Sequence, residues 1–290
     1  MYPQLFSIGP VTIHSFGVMM SLAFITAGVT AAWQFKKRGI DPELAYSLLI
    51  AAIVGGVVGA KVHYLIANPD QARASMFSGS GLIWYGGLFG GALAVWVVAY
   101  FSKPRTALLA DAIAPGLAAA YAVGRVGCLL NGDDYGVPTT LPWGLSFPKG
   151  TPPTEAIVHP TQIYESFMSL IILGLLLWVA APRLRRAGSL FWVYLALAGI
   201  ERFLVEFVRT NESVALGLTQ AQWISVLLLA AGVAGVWWLE SHRGSGVPAL
   251  GATGPAMVGS KKGRPGGGAE KPRSTKKPHH KAKAAQSRRR

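Results

Sequence analysis

Seven apolar stretches, each close in length to a membrane-spanning helix, constrain what this chain can fold into. An α-helix crosses the bilayer core with about 20 mostly apolar residues and satisfies its backbone polar groups internally. The chain has 51% hydrophobic and only 14% charged residues, where soluble domains have roughly 25% charged residues. We therefore predict an all-α polytopic membrane protein with seven transmembrane helices. The stretches cover residues 15–35, 45–67, 82–101, 107–130, 161–181, 190–208 and 219–240.

Basic residues lie in alternate connecting loops and predict the orientation of the chain. They follow the first, third, fifth and seventh stretches, and loops rich in lysine and arginine stay in the cytoplasm. We therefore expect a periplasmic amino terminus, a cytoplasmic carboxyl terminus and a periplasmic loop at about 131–160. The first stretch has neither a basic n-region before it nor a cleavage site after it, so we expect a retained span rather than a signal peptide.

The charge of the chain divides it into two parts. Residues 243–290 carry 13 of the 27 lysines and arginines and one of the 13 acidic residues, a net charge of +12 out of +14. This segment is also rich in glycine and proline, so we predict a disordered basic cytoplasmic tail after a transmembrane domain at 1–242. Anionic membrane lipid is the favoured partner of the tail. Nucleic acid is the alternative, and we expect no such partner because no nucleic-acid-binding fold accompanies the tail.

A single cysteine, Cys128, limits what the chain can build from thiols. It excludes an intrachain disulfide and a metal cluster made of cysteines alone. We expect no metal and no cofactor.

Ionisable residues within the apolar stretches are the first candidates for a functional site, because charge inside a membrane is costly. Arg125 lies near the outer end of the fourth stretch and Asp111 near its inner end, roughly 21 Å apart along a helix. They cannot pair, so Asp111 is expected to be a structural cap or anchor. Arg202, Glu206 and Arg209 have the i, i+4, i+7 spacing that lines one helix face. This ladder is either a functional site or an ion pair that joins two helices.

The segment at the start of the fifth stretch adds further polar candidates. Thr161 is a possible N-cap of the helix. Tyr164 is expected at the membrane interface, where it either belongs to an aromatic belt or serves the site. Glu165 is expected to lie at the depth of Arg125 and Arg209.

Two glycine runs, 55–59 and 86–91, have the small-xxx-small spacing of closely packed helices. The alternative for Gly86 and Gly87 is that their backbone N–H groups bind a lipid headgroup. Arg125, Arg202 and Asn131 together favour such a headgroup, because guanidinium groups bind phosphate bidentately. An apolar cavity beside them would hold the acyl chains.

Six segments in this order resemble the prolipoprotein diacylglyceryl transferase family. They span the region from residue 1 to about 240, and the tail lies outside the resemblance. The segments are Ile-His-Ser-Phe-Gly at 13–17, Gly-Gly-Leu-Phe-Gly-Gly at 86–91, Asp-Ala-Ile-Ala-Pro at 111–115, Gly-Arg-Val-Gly-Cys-Leu-Leu-Asn-Gly-Asp-Asp-Tyr-Gly at 124–136, His-Pro-Thr-Gln-Ile-Tyr-Glu at 159–165 and Arg-Phe-Leu-Val-Glu-Phe-Val-Arg at 202–209.

The resemblance implies an enzyme of the bacterial inner membrane with its active site toward the periplasm. Such an enzyme transfers the diacylglyceryl group of phosphatidylglycerol to the lipobox cysteine thiol of a preprolipoprotein signal peptide. A thioether forms and glycerol phosphate leaves. The alternatives are an anionic-lipid or solute binding or transport protein, and a catalytically diverged family member.

The resemblance also implies roles for particular residues. Arg125 and Arg202 would stabilise charge on the departing phosphate, and Glu206 would hold Arg202 in place. Asn131 and Asp133 would orient the headgroup. Tyr85 stands where some members have a histidine base, so an outward carboxylate or water is left as the proton acceptor. The remaining candidates bind the lipid or support the site, and they are Gly86, Gly87, Gly136, Asp111, Tyr164, Glu165, Arg209 and Phe16.

Overall fold

A computed structural model describes residues 1–9, 11–71, 81 and 83–241 of the chain. The predicted tail at 243–290 lies outside the described residues. So does most of the loop between the second and third apolar stretches, at 72–80.

Within the described ranges the chain forms seven α-helices, one on each predicted apolar stretch. Five are long and apolar enough to cross a membrane, and they cover Ser15–Lys37, Glu43–Ala67, Thr106–Asn131, Thr161–Ala180 and Gln220–Ser241. The third is apolar but shorter, and the sixth has 17 residues. The helices are α1 Ser15–Lys37, α2 Glu43–Ala67, α3 Trp84–Phe101, α4 Thr106–Asn131, α5 Thr161–Gly174, α6 Ser189–Val205 and α7 Gln220–Ser241.

Large apolar side chains cover the outer faces of these helices. Phe101, Trp178 and Trp237 are each more than two-thirds exposed. An exposed apolar surface of this extent marks contact with a partner or a membrane. It agrees with a membrane protein.

Glycine allows α2 and α3 to pack with their backbones in contact. A Cβ atom added to Gly59 would lie 2.3 Å from the carbonyl oxygen of Gly86, and one added to Gly90 would lie 2.4 Å from that of Gly55. No side chain fits at such distances. The small-residue packing predicted for these two helices is therefore confirmed.

Helix α4 occupies the centre of the bundle, in contact with α1, α5 and α6. Half of its buried residues are alanines, and Ala112, Ala114 and Ala118 are fully buried. The helix runs unbroken from Thr106 to Asn131 although it contains a proline. Because the helix is unbroken, Asp111 and Arg125 lie far apart, near its two ends.

Asp111 lies at the end of α4 that is remote from Arg125, and it caps another helix. Its carboxylate accepts hydrogen bonds from the backbone N–H of Gly188 (2.7 Å) and of Phe191 (2.9 Å), at the start of α6. The first N–H groups of a helix lack partners within the helix, and a carboxylate suits the positive end of its dipole. These contacts support a structural role for Asp111.

The sixth helix is shorter than the sequence predicted. It ends at Val205, and Glu206–Val208 form a 3₁₀ turn. The prediction that Arg202, Glu206 and Arg209 share one α-helical face is therefore wrong. The backbone turns toward the loop instead, because the carbonyl of Val208 accepts a hydrogen bond from the N–H of Val137 (2.9 Å).

Among the described residues, three short antiparallel hairpins accompany the helices. The middle one lies in the loop between α4 and α5, and an isolated bridge between Gly136 and Arg209 joins this loop to the segment after α6. This loop therefore completes one end of the bundle. The hairpins pair β1 Gln4–Ile8 with β2 Val11–His14, β3 Leu145–Phe147 with β4 Thr154–Val158, and β5 Ser213–Ala215 with β6 Leu218–Thr219.

Candidate active site

A buried carboxylate, Glu165 of α5, is the centre of the candidate site. Its side chain is 0% exposed. Its oxygens lie 3.0 Å from Nε of Arg125, 3.2 Å from Nη1 of Arg202 and 3.7 Å from Nη1 of Arg209. The hydroxyl of Tyr121 donates a further hydrogen bond to Oε1 (3.1 Å). One carboxylate thus gathers three guanidinium groups from α4, α6 and the turn after α6.

Glu206 holds Arg202 from the other side. Its Oε2 lies 2.8 Å from Nη2 of Arg202. Its Oε1 accepts hydrogen bonds from Thr219 Oγ1 (2.8 Å) and Asn211 Nδ2 (2.6 Å). The pairing of Glu206 with Arg202 that the sequence predicted is present, although Glu206 lies beyond the end of the α-helix.

Asp134 completes the cluster on its open side. Its two carboxylate oxygens lie 2.7 Å from Nη1 of Arg125 and 2.6 Å from Nη2 of Arg209. Partial burial opposes ionisation of Asp134, but Arg209 and Arg125 outweigh it and hold the pKa of this carboxyl below its usual range. Asp134 therefore stays ionised at neutral pH.

The cluster balances its charges. Three arginines face three carboxylates, those of Glu165, Glu206 and Asp134. Burying an unpaired ion costs several kcal/mol, and mutual pairing offsets this cost. Each guanidinium also has a fixed direction, because carboxylates hold it from more than one side.

Gly136 sets the path of the loop that carries Asp134. Its N–H donates to the carbonyl of His159 (2.9 Å), and it forms an isolated bridge with Arg209. A Cβ atom at this position would lie 2.2 Å from the carbonyl oxygen of Val208. Only glycine allows this close approach between the loop and the segment after α6.

Two side chains at the start of α5 hold the same loop. Thr161 Oγ1 donates to the backbone carbonyl of Asp134, and Gln162 Nε2 donates to that of Asp133. The predicted N-cap role of Thr161 is wrong, since the N-cap position is Pro160 and no side chain caps the helix there. The Thr161 hydroxyl bonds the loop instead of the helix end.

Asn131 and Asp133 lie next to the cluster at the end of α4. Asn131 Nδ2 donates to Asp133 Oδ2 (2.6 Å). The other oxygen, Oδ1, is buried and has no hydrogen-bond partner among the described residues. It is therefore an unpartnered acceptor in the segment that follows α4.

Cys128 lies in a group of three residues whose side chains are of types that can bind metal ions. Donor atoms of Cys128, Asp133 and Asp134 lie within 4.8 Å of one another. The guanidinium groups of Arg125 and Arg209 already pair with Asp134, and their positive charge opposes a cation at this place. The surroundings therefore favour an anion.

Three site residues were not anticipated from the sequence, namely Tyr121, Asp134 and Glu201. Tyr121 lies one turn before Arg125, whose Nε (3.0 Å) and Nη2 (2.9 Å) donate to its hydroxyl. Glu201 is buried, and its Oε1 has no hydrogen-bond partner in the described part of the chain. An acidic residue inside an apolar stretch was the available signal for Glu201.

Other predicted residues lie on different helices. Tyr85 lies in the first turn of α3, and Gly86 and Gly87 follow it. A Cβ atom on Gly86 would lie 2.4 Å from the carbonyl oxygen of Gly59, so helix packing accounts for this glycine. Phe16 of α1 packs beside Gly127 of α4. The lipid-binding role of Gly86 and Gly87 stays a prediction.

An apolar groove of about 470 Å³ lies beside the cluster, between α5, α6 and the loop that joins α4 to α5. On the loop side, Tyr164 accepts a hydrogen bond from Trp143 Nε1 (2.8 Å) and contacts His159 Nδ1 (3.2 Å). Tyr164 therefore links the loop to α5. The groove is lined by Leu141, Trp143, His159, Tyr164, Met168, Leu204, Val205 and Val208.

These features define a class of protein. A bundle of apolar helices with arginines gathered at one end, beside an apolar groove, is a membrane protein with a site suited to an amphipathic anion.

Comparison with known proteins makes the class specific. The family model of prolipoprotein diacylglyceryl transferase matches residues 3–238. The chain is similar to proteins from several bacteria that are called phosphatidylglycerol–prolipoprotein diacylglyceryl transferase. The one from Dehalococcoides mccartyi is 34% identical over 80% of this chain and 91% of its own length. Those from Nostoc and Clostridium tetani are 32% and 31% identical, over 83% and 80% of this chain and 90% and 96% of their own lengths. The chain belongs to the prolipoprotein diacylglyceryl transferase family of enzymes, as its motifs predicted.

The contact at Gly136 leads to a stability prediction. We expect Gly136→Ala to lower the free energy of unfolding by roughly 1–3 kcal/mol, because a methyl group would collide with backbone rather than with a movable side chain. Thermal unfolding in detergent measures this change, and limited proteolysis reports release of the loop at 131–160. Gly17→Ala is the matched control, since a Cβ there meets nothing within 4 Å. Equal stability of both variants would contradict the proposed contact.

Proposed function

We propose that the chain transfers the diacylglyceryl group of phosphatidylglycerol to the lipobox cysteine thiol of preprolipoproteins. The family and the names of its relatives support this activity. The observation that carries it for this chain is the set of three prepositioned guanidinium groups around Glu165, beside an apolar groove.

The guanidinium groups are suited to the phosphodiester of the lipid. Arg202 is the most accessible, with 27% of its side chain exposed against 12% for Arg125. Arginine binds phosphate oxygens in a bidentate manner and remains charged when partly desolvated. The apolar groove beside them would hold an acyl chain. Two of its lining residues, Tyr164 and Val205, directly precede Glu165 and Glu206 in the sequence.

In the reaction one carbon–sulfur bond forms and one carbon–oxygen bond breaks. The thiol sulfur attacks the glyceryl carbon that bears the phosphate ester, the carbon–oxygen bond breaks, and glycerol phosphate leaves with the bonding electrons. Negative charge therefore grows on a phosphate oxygen. Guanidinium groups that carboxylates already hold in position stabilise this charge without reorganisation.

The proton of the thiol must also be accepted, since the thiolate is the nucleophile. The sequence left an outward carboxylate or water as acceptor, and the unpartnered Oδ1 of Asp133 supports the carboxylate. The phenol hydroxyl of Tyr85 is suited to donate a hydrogen bond to the lipid phosphate. Cys128 needs no role in the reaction, because the reacting thiol belongs to the peptide.

The arginines lead to a catalytic prediction. Arg125→Ala and Arg202→Ala are each expected to abolish transfer. Arg202→Lys is expected to reduce turnover by roughly 100-fold, because lysine keeps the positive charge but lacks the two parallel N–H donors of the guanidinium group. Purified protein is incubated with phosphatidylglycerol and a lipobox peptide, and mass spectrometry measures the diacylglyceryl mass gained by the peptide.

The matched control is Arg105→Lys, an exposed arginine just before α4, at the other end of this helix. It should transfer at the wild-type rate. No mass gain in the wild type, with lipid and peptide both bound, would contradict the enzyme. Near-normal turnover in either alanine variant would remove that arginine from the mechanism.

Asp133 is tested separately. Asp133→Asn removes the acceptor and should lower turnover by roughly 100-fold while lipid binding persists. Asp133→Glu restores a carboxylate and should recover a large part of the rate. Normal turnover of Asp133→Asn would contradict this role of Asp133 and leave water or another carboxylate as the acceptor.

The seven helices are proposed to be seven crossings, with the amino terminus and the arginine cluster on the periplasmic side of a bacterial inner membrane. The alternation of basic loops supports this orientation. In a Cys128→Ala background, an impermeant maleimide should label Glu155→Cys in intact spheroplasts and Lys103→Cys only after lysis. The opposite labelling would reverse the orientation.

A further inference from the structure

Asp134 is the accessible carboxylate of the arginine cluster. Its side chain is 42% exposed, whereas those of Glu165 and Glu206 are 0% exposed. The buried pair holds the guanidinium groups from inside the bundle. Asp134 contacts two of them from the side that opens outward.

The contacts of Asp134 match those that a phosphodiester would make. Its two oxygens meet guanidinium nitrogens of Arg125 and Arg209 at 2.7 and 2.6 Å. A phosphodiester likewise carries one negative charge and presents two oxygens to arginine forks. Both anions cannot occupy this position, because like charges in one place repel.

The backbone of Asp134 is held by the surrounding structure, and its side chain is partly exposed to solvent. The residue has a φ of 61°, a left-handed conformation that is sparsely populated outside glycine, asparagine and aspartate. Its carbonyl accepts hydrogen bonds from Thr161 Oγ1 and from Nη1 of Arg209 (3.2 Å). Departure of the carboxylate therefore needs a side-chain rotation into solvent and no movement of the loop.

Charge balance favours an exchange rather than an addition. The ion-paired groups of the cluster, three arginines and three carboxylates, are neutral together, so a phosphodiester added to them would leave an excess of negative charge. If Asp134 turns out to water, three arginines face two glutamates and one phosphodiester, and neutrality returns. The outgoing aspartate is hydrated, whereas the two glutamates cannot leave the interior.

We propose that Asp134 occupies the phosphate position of the lipid site and rotates out when a phosphodiester headgroup binds there. Asp134 thereby sets the affinity of the site for anions and keeps weakly bound anions such as inorganic phosphate out. This inference rests on the proposed function, because it assigns the ligand of the same cluster.

Binding of a soluble short-chain phosphatidylglycerol to the purified full chain tests the inference without the peptide. Asp134→Asn removes the competing negative charge and keeps the shape of the side chain. It should bind this lipid about tenfold more tightly than the wild type, because a larger fraction of the molecules then has the phosphate position unoccupied by a carboxylate. Inorganic phosphate should compete with the lipid in this variant at concentrations that have no effect on the wild type. In the transfer assay, KM for the lipid should fall more than kcat changes.

Glu155→Gln is the matched control, because it removes one exposed negative charge from the same loop. It should bind the lipid as the wild type does. Equal or weaker lipid binding by Asp134→Asn would overturn the inference and make Asp134 a structural ion-pair partner. A tenfold gain in both variants would also overturn it, since general electrostatics would then suffice.

A second measurement uses the wild type alone and does not depend on the stability of the variant. Carbodiimide coupling of an amine to Asp134, quantified by mass spectrometry, should increase when the short-chain lipid binds. Protection of Asp134 by the lipid would overturn the inference. If the lipid binds neither protein, the proposed function and the inference fail together; if lipid binds and transfer proceeds but Asp134→Asn binds no more tightly, the inference alone fails.

Discussion

The pairing of one buried carboxylate with three guanidinium groups governs the organisation of this protein. Glu165 is fully enclosed in an apolar bundle, and an enclosed charge is stable only with partners of opposite sign. The partners are Arg125, Arg202 and Arg209, which come from α4, α6 and the turn after α6. Three segments that are far apart in the sequence must therefore converge on α5. The same convergence places three guanidinium groups around one carboxylate.

The loop between α4 and α5 depends on this cluster in turn. Asp134 pairs with two of the arginines, and Gly136 lets the loop backbone lie against the segment that carries Arg209. The end of α6 is shortened for the same reason, since the backbone groups near Val208 bond the loop rather than continue the helix. The site and the irregular backbone around it are thus one structure.

The rest of the bundle supplies a rigid frame around that end. Helices α2 and α3 pack through facing glycines, and the centre of α4 packs through alanines. Asp111 caps α6 at the end remote from the cluster, where it fixes the helix that carries Arg202. Charged residues therefore cap a helix at one end of the bundle and form the arginine–carboxylate cluster at the other.

Hydropathy, helix length and glycine spacing are local properties, so the sequence alone determined the seven helices, the packing of α2 on α3 and the candidacy of Arg125, Arg202 and Glu206. The centre of the site was not predictable in this way. Glu165 was expected only to support it, Asp134 and Tyr121 were missed, and Arg209 was placed on a helix that ends before it. These assignments depend on contacts between residues 40 and 75 positions apart, such as Arg125 with Glu165 and Arg209 with Asp134. Only the tertiary structure decided them, because an ion pair between distant segments leaves no periodic pattern in the sequence of either segment.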